Sequence, residues 1–115
     1  MTESKVYQEI LRPLCKEHGI MLHSVDYYAL PDAYLSKNGE VLWAEIKCVN
    51  KSSSVIKPDW RPGQLSWIKR NSLYGSNNVC LLLWYEGRVW FLPPKEKYSE
   101  EELICQKMVY LKTMW

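Results

Sequence analysis

The sequence lacks an apolar run long enough to cross a membrane as a helix. Its longest such run, from Val79 to Tyr85, has seven residues, whereas a spanning helix needs about 20. The first residues also lack the apolar stretch of a secretory signal peptide. The four cysteines are scattered without Cys-x-x-Cys spacing, and each lies in an apolar-rich segment. We therefore expect an intracellular protein with reduced, core-packed cysteines and no membrane partner.

Several catalytic motifs are missing as well. The chain has no Gly-x-x-x-x-Gly-Lys-Ser/Thr phosphate-binding loop, no His-Glu-x-x-His zinc motif and no Gly-x-Ser-x-Gly nucleophile elbow. Nucleotide hydrolysis by a P-loop and the familiar zinc-protease and serine-hydrolase chemistries therefore have no support. The net charge of +2 is too small to predict a partner by itself.

Length and composition predict one domain that covers residues 1–115. A chain of 115 residues with 47% hydrophobic residues and six tryptophans can bury a core. Apolar periodicity and turn residues predict the order α-β-β-β-α-β-β-α, which indicates an α/β protein with a mixed sheet and flanking helices. The predicted elements are a helix over 2–18, a strand over 20–30, a hairpin over 32–49, a loop over 50–61, a helix over 62–75, strands over 79–85 and 89–92, and a helix from 99 to about 111.

Individual residues predict where the first and last helices begin and end. Thr2 is placed to cap the first helix and Gly19 to end it, while Pro13 is expected to kink it. Ser99 and Glu102 form the pattern of a capping box at the start of the last helix.

The hairpin is the most informative part of the sequence. Asn38-Gly39 lies between two apolar-rich runs, and this dipeptide is the strongest short-range signal for a two-residue turn. With the turn there, the residue numbers of strand partners sum to 77, so Asp32 lies opposite Glu45 and Lys47 points to the same face. The other face is a continuous apolar set: Ala33, Leu35, Leu42, Ala44, Ile46 and Cys48.

Two directly opposed carboxylates repel each other by a few tenths of a kcal/mol to about 1 kcal/mol unless a positive charge lies between them. A divalent cation is the obvious candidate, since Mg²⁺ accepts one or two protein carboxylates together with water and phosphate oxygens. Beside such an ion, Lys47 could hold an attacking water or a phosphate. The alternative is a solvated hairpin in which Lys47 only neutralises one acid.

Basic residues follow the hairpin in the sequence. Residues 1–46 carry four bases and seven acids, whereas residues 47–70 carry six bases and one acid, a net charge of +5. This pattern is typical of a polyanion-binding surface, and a solvated loop and helix face explains it equally well. Trp60 lies in a polar loop, from which an indole can stack on a base. The candidate nucleic-acid contacts are Lys51, Lys57, Trp60, Arg61, Lys69 and Arg70.

These features together resemble the PD-(D/E)XK nuclease superfamily. The resemblance is carried by Pro31-Asp32 at the entry to one strand, Glu45-Ile46-Lys47 on the next, and Gln64 on the helix that follows. Over roughly residues 3–92, the layout is most similar to small stand-alone viral replication-repair nuclease (VRR-NUC) domains and to Holliday junction resolvases. The resemblance implies a restriction-endonuclease-like fold and, for a viral protein, a location in the host cytoplasm.

The resemblance also implies roles for single residues. In such families the Asp and the Glu bind Mg²⁺ or Mn²⁺, the residue between Glu and Lys offers its carbonyl as a further ligand, and the Lys assists the chemistry. By that resemblance Asp32, Glu45 and Ile46 are metal ligands. The same three motifs imply that Asp32, Glu45, Lys47 and Gln64 are the catalytic set.

Such families also tend to place a glutamate on the first helix, and three are available here. At about 100° per residue, Glu3 and Glu17 fall within the apolar stripe of that helix, whereas Glu9 lies at its edge. The family spacing favours Glu3 as a further ligand and catalytic residue, with Glu9 behind it. The alternative for Glu3 is a charge that stabilises the first turn of the helix.

The resulting hypothesis is a Mg²⁺- or Mn²⁺-dependent DNA endonuclease that is selective for branched DNA or four-way junctions. A catalytically silent nucleic-acid-binding module on a nuclease scaffold is the main alternative, and a protein-interaction domain is a third. The chain has no room for a separate recognition domain. We therefore expect it to recognise DNA shape through phosphate contacts rather than a base sequence.

The C-terminal segment predicts a homodimer. It carries more large apolar residues than one helix stripe can bury, so a partner would have to cover some of them. A broad buried face within one chain is the alternative. Symmetric cutting of two strands needs two sites related by a two-fold axis, and the resembled families work as dimers. The residues concerned are Leu103, Ile104, Met108, Val109, Tyr110, Leu111, Met114 and Trp115.

Overall fold

The computed structural model of the protein describes residues 1–26, 30–72 and 78–105. Three consecutive segments form the N-terminal helix: α1 (Glu3–Lys5), a π-helical segment (Val6–Leu11) and α2 (Arg12–Glu17). The other elements are α3 (Gln64–Ser72), α4 (Glu100–Cys105), β1 (Met21–Ser24), β2 (Ala33–Lys37), β3 (Glu40–Val49), β4 (Val55–Ile56), β5 (Val79–Tyr85), β6 (Arg88–Leu92) and β7 (Tyr98–Ser99).

Five of these strands form one mixed sheet in the order β1-β2-β3-β5-β6. The central pair β3–β5 is parallel, and the other pairs are antiparallel. A parallel pair needs a crossover connection, and α3 lies in the one between β3 and β5. The predicted α/β class, with a mixed sheet and flanking helices, is confirmed.

Two strand predictions differ from the structure. The segment 50–61 contains β4, which pairs with β7 about 40 residues later in the chain, and a loop was expected there. This pairing is long-range, so no local pattern predicts it. The first strand ends at Ser24 rather than continuing through residue 30. Residues 27–29 of the predicted strand lie outside the described residues.

The predicted hairpin register is confirmed. Ala33 pairs with Ala44 and Lys37 with Glu40, as a turn at Asn38-Gly39 requires. Asn38 and Gly39 have φ angles of 51° and 83°. Positive φ at both central residues is the geometry of a type I′ turn, whose twist matches that of the strands.

A π-helical turn lies directly before Pro13 in the N-terminal helix, at the position where a kink was expected. The N–H of Arg12 donates to the carbonyl of Tyr7, five residues earlier. A proline ring clashes with the carbonyl four residues before it, and a widened turn relieves that clash. Thr2 Oγ1 caps the helix by accepting from the N–H of Lys5 at 3.2 Å.

The sheet has a buried cluster on each face. The first cluster lies under the N-terminal helix and includes the apolar face of the hairpin, as predicted. The second contains Ile56, Leu81, Leu83, Tyr85, Leu92, Tyr98 and Leu103. Cys15 and Cys80 are buried, Cys48 is half-buried, and all three are free thiols.

The capping box at the start of α4 is present. The N–H of Glu102 donates to Ser99 Oγ at 3.2 Å, and the N–H of Ser99 donates to Glu102 Oε1 at 3.4 Å. Leu103 is buried in the second cluster. The remaining residues behind the homodimer prediction have side chains outside the described part of the chain. Among the described helices, none combines the length and the apolar character needed to cross a membrane.

Candidate active site

Asp32 and Glu45 lie side by side at the end of the hairpin that is distant from the turn. Asp32 directly precedes β2, and Glu45 is in the middle of β3. The N–H of Ile46 donates to Asp32 Oδ2 at 2.9 Å. This bond holds the Asp32 carboxylate against β3, next to the Glu45 carboxyl group, as the hairpin register predicts.

Glu45 is a buried acid with one unsatisfied oxygen. Its residue is 1% exposed, and its Oε1 accepts from Gln64 Nε2 at 3.1 Å. Its Oε2 is buried and accepts from no donor among the described residues, so this oxygen can share a proton with the adjacent Asp32 carboxylate. Burial, followed by the hydrogen bond and the negative charge of Asp32, raises the pKa of Glu45 to about 9, although Lys47 opposes this. With no cation present, Glu45 therefore keeps its proton at neutral pH.

Lys47 is buried beside these acids. It is 2% exposed, and its Nζ lies 3.7 Å from Glu45 Oε1. The same Nζ donates to Gln64 Oε1 at 3.0 Å and lies 5.5 Å from the centroid of the Trp60 ring. A solvated hairpin with surface charges is therefore the wrong interpretation of this pattern, since Glu45 and Lys47 are both shielded from water.

Gln64, the first residue of α3, connects the acid to the base. It is 4% exposed. Its Oε1 accepts from Lys47 Nζ and from the N–H of Arg61, the latter at 2.8 Å, while its Nε2 donates to Glu45. The amide therefore orients both charged side chains and also fixes the loop that precedes α3.

Of the three glutamates on the N-terminal helix, the structure brings Glu3 to the site. Glu9 and Glu17 are exposed, whereas Glu3 is half-buried. Burial raises the pKa of Glu3, the positive charge of Lys47 lowers it, and the negative charge of Asp32 raises it further. Glu3, Asp32 and Ile46 line one cleft of about 300 Å³.

The acid pair has the chemistry of a divalent-cation site. Within residues 1–26, 30–72 and 78–105, no three side chains of the His, Cys, Asp or Glu type are close enough together to hold a metal alone. Mg²⁺ needs fewer, because it keeps several waters and uses one or two carboxylates plus phosphate oxygens. Glu45 Oε2 accepts from no donor among the described residues and lies beside the Asp32 carboxylate, so a positive ion between the two groups would relieve their repulsion. The residues present therefore fit the ion.

The predicted nucleic-acid contacts occupy two kinds of environment. Trp60 is half-buried, because its ring covers Lys47 and its Nε1 donates to the carbonyl of Lys95 at 3.1 Å. Arg61 is near enough to the site for its charge to act on Glu3. The basic residues among the predicted contacts are all exposed: Lys51, Lys57, Arg61, Lys69 and Arg70.

Sequence reasoning missed the contacts that hold the loop before α3. Trp60 bridges to Lys95, 35 residues away. The N–H of Ser53 donates to the hydroxyl of Tyr85, which donates to Glu100 Oε1. These contacts join residues that are distant in sequence, and no spacing or composition predicts them.

Comparison with known proteins gives a match in fold. No protein-family model and no curated protein matches this sequence. The structure is similar to that of Hjc, a Holliday junction resolvase from the hyperthermophilic archaeon Archaeoglobus fulgidus. The TM-score is 0.68 over 98% of this chain and 97% of that chain, at 12% sequence identity. At this identity the likeness establishes the mixed-sheet nuclease fold alone.

Proposed function

We propose that the protein is a metal-dependent endonuclease that hydrolyses phosphodiester bonds in DNA. The observation that carries the proposal is the buried set of Glu45, Lys47 and Gln64 next to the half-buried Asp32, beside a cleft that also contains Glu3. The fold, which is similar to that of a junction resolvase, supports it. A buried acid next to a second carboxylate usually costs stability, so folding alone does not explain this pair.

The residues that would hold Mg²⁺ or Mn²⁺ are Asp32 and Glu45, together with the carbonyl of Ile46, while Glu3 in the same cleft would contact the ion through one of its waters. Bound there, the ion would polarise the scissile phosphate and lower the pKa of a water. The chain supports this by orienting the ligands. The Ile46 N–H fixes Asp32, and the Gln64 amide fixes Glu45. Loading the ion requires Glu45 to release its proton, because a ligating carboxylate is deprotonated.

Lys47 supplies a positive charge that acts on the attacking water or on the phosphate. Its ammonium group is held between Gln64 and Glu45 beneath the Trp60 ring. A fixed charge in a site shielded from water stabilises developing negative charge far better than a solvated one. Lys47 therefore orients the attacking water or stabilises the phosphate in the transition state, and Gln64 positions it.

The test is cleavage of supercoiled, branched and single-stranded DNA with Mg²⁺ or Mn²⁺. We expect cleavage by the wild type and its loss in Asp32→Ala, in Lys47→Ala and with EDTA. Lys97→Ala is the matched control, since Lys97 is an exposed lysine outside the site. Undiminished cleavage by Asp32→Ala or Lys47→Ala would remove the assignment.

One observation favours a second candidate, a nucleic-acid-binding module that does not cut. Lys47 is 2% exposed beneath Trp60, so the ammonium group is closed to substrate in this conformation. Calorimetry with Mn²⁺ separates the two candidates. An absence of metal binding together with intact, salt-sensitive DNA binding would favour the silent module.

The proposed substrate is branched DNA, recognised by its shape. The exposed bases Lys51, Lys57, Arg61, Lys69 and Arg70 are suited to phosphates, which carry no sequence information. The similar protein is described as a Holliday junction resolvase, and this favours four-way junctions. Reproducible cleavage of linear duplex at one short sequence would contradict this part of the proposal.

Resolution of a junction requires a homodimer in this account. One chain offers one site and cuts one strand, whereas symmetric cutting needs two sites related by a two-fold axis. Light scattering at micromolar concentration, combined with a four-way-junction assay, tests this. A monomer that nicks all DNA forms equally would support the proposed nuclease activity and contradict the proposed resolution of junctions.

A further inference from the structure

Further residues of the N-terminal helix line the cleft that contains Glu3 and Asp32. They are Tyr7, Gln8 and Arg12, and Ser24 of β1 lines the same cleft, opposite Ala33 in the sheet. These four side chains take no part in the proposed metal site. The cleft therefore combines two acids with a guanidinium group, an amide and two hydroxyls.

The π-helical turn is what brings Arg12 to this cleft. In a regular α-helix, residues five apart are about 140° away from each other around the axis. In the π-helical segment, the Arg12 N–H donates to the Tyr7 carbonyl, so the two residues lie one above the other. Arg12 Cζ lies 5.8 Å from the centroid of the Tyr7 ring. The turn that accommodates Pro13 thus also places a guanidinium group over an aromatic face.

The charge of Arg12 is not used within the described part of the chain. Arg12 is exposed, and it forms no ion pair with any acid in residues 1–26, 30–72 or 78–105. The contact with Tyr7 is a cation–π contact, which restrains the guanidinium group without neutralising it. A restrained guanidinium group binds a phosphate in a bidentate manner at little entropic cost.

We propose that the part of the cleft around Arg12 binds a backbone phosphate of the cleaved DNA strand, on one side of the scissile phosphate. Arg12 supplies the charge, while Gln8 and Ser24 supply neutral donors. Glu3 and Arg12 are nine residues apart, or about 13 Å along a helix. The phosphate concerned therefore lies within about four nucleotides of the cut, at about 3.4 Å per nucleotide along one strand. The inference rests on the proposed nuclease function.

The test combines protein variants with substrates that lack one charge. A four-way junction and a plain duplex are made with a neutral methylphosphonate at each of about four phosphates on either side of the cut, the span that about 3.4 Å per nucleotide gives. Binding is measured with Ca²⁺ in place of Mg²⁺, and cleavage is measured in single turnovers with Mg²⁺. The variant is Arg12→Gln. The control is Lys16→Gln, which removes the same charge from an exposed residue of the same helix outside the cleft.

We expect Arg12→Gln to weaken binding roughly tenfold and to lower the salt slope by about one, with Lys16→Gln near wild type. One methylphosphonate position should weaken wild-type binding by a similar factor and have no further effect on Arg12→Gln. Wild-type binding by Arg12→Gln, or additive losses at every position, would overturn the inference while the nuclease stands. A wild-type protein that neither binds nor cuts DNA would overturn both.

The Tyr7 ring gives an independent check. Tyr7→Phe keeps the ring under Arg12 and should bind DNA like the wild type. Tyr7→Leu removes the ring and should lose a few-fold in binding only where Arg12 is present. An equal loss in the Arg12→Gln background would show that Tyr7 acts by packing on the core instead.

Discussion

Around Ile46, the two faces of β3 are equally buried but carry different kinds of side chain. Ile46, on one face, is 2% exposed among apolar side chains under the N-terminal helix. Glu45 and Lys47, on the other face, are 1% and 2% exposed. Oε2 of Glu45 accepts from no donor among the described residues. Hydrophobic burial explains the first face. Burial of charges usually costs stability, so the second face requires another explanation. Departures from the folding rules concentrate at functional sites, and this one marks the proposed metal site.

The largest effect on DNA cleavage is expected from a substitution of Asp32. Asp32→Asn keeps an oxygen that can accept from the Ile46 N–H, but it removes the negative charge. We expect single-turnover DNA cleavage to fall about 10³-fold or more, equivalent to about 4 kcal/mol, with an unchanged or higher melting temperature. Asp26→Asn, at an exposed acid, is the control. Full activity in Asp32→Asn, or loss of folding in parallel with activity, would contradict the proposal that one face of β3 stabilises the fold and the other carries the chemistry.

The apolar face should show the opposite behaviour. Leu42→Ala creates a cavity in the first cluster, where Leu42 is 1% exposed. We expect a loss of about 3 kcal/mol in the free energy of unfolding, measured with urea, and normal cleavage per folded molecule. The half-buried Leu22, as Leu22→Ala, should lose less. If Leu42→Ala cost under about 1 kcal/mol, the cluster would not be the stabilising core.

Glu45 should make the stability of the folded protein depend on pH, which the apolar face of β3 cannot do. Its folded pKa of about 9 lies above the ordinary value of 4.5, so the folded chain binds more protons than the unfolded chain between these values. In the metal-free protein, the contribution of Glu45 to the free energy of unfolding is therefore highest below about pH 4.5 and declines as pH rises toward 9. We expect Glu45→Gln to remove this decline and to stabilise the metal-free protein at pH 8 by on the order of 2 kcal/mol. Glu40→Gln, at the exposed turn, should leave the pH dependence of stability unchanged, and a persistent decline in Glu45→Gln would assign it to another group.

The hairpin and its acid pair were predictable because their signals are local. Asn38-Gly39 fixes the turn, the turn fixes the register, and the register places Asp32 beside Glu45. The motif order and the helix at Gln64 led to the fold class in the same way. The burial of Lys47 was not predictable, because it depends on Trp60 and on the loop contacts to Lys95. Contacts between residues far apart in sequence have no local pattern, and the same reason explains the missed β4–β7 pair.

The smallest expected effects lie outside both faces, at the exposed basic residues. Lys51→Gln and Lys57→Gln should each weaken DNA binding a few-fold and lower the salt slope by about one, with little change in the rate at saturating DNA. Fluorescence anisotropy at several salt concentrations measures this. A change in cleavage rate at saturation without a change in affinity would place these lysines in the chemistry instead.

Calorimetric titration with Mn²⁺ in the absence of DNA tests most directly whether the pair of Asp32 and Glu45 is a metal site. The wild type should bind Mn²⁺, release protons as Glu45 ionises, and bind more tightly as pH rises. Asp32→Asn and Glu45→Gln should both lose this binding while remaining folded. If the wild type gives no heat of binding and no rise in melting temperature with Mn²⁺, or if Glu45→Gln binds the ion as well as the wild type, the acid pair is not a metal site and the account fails.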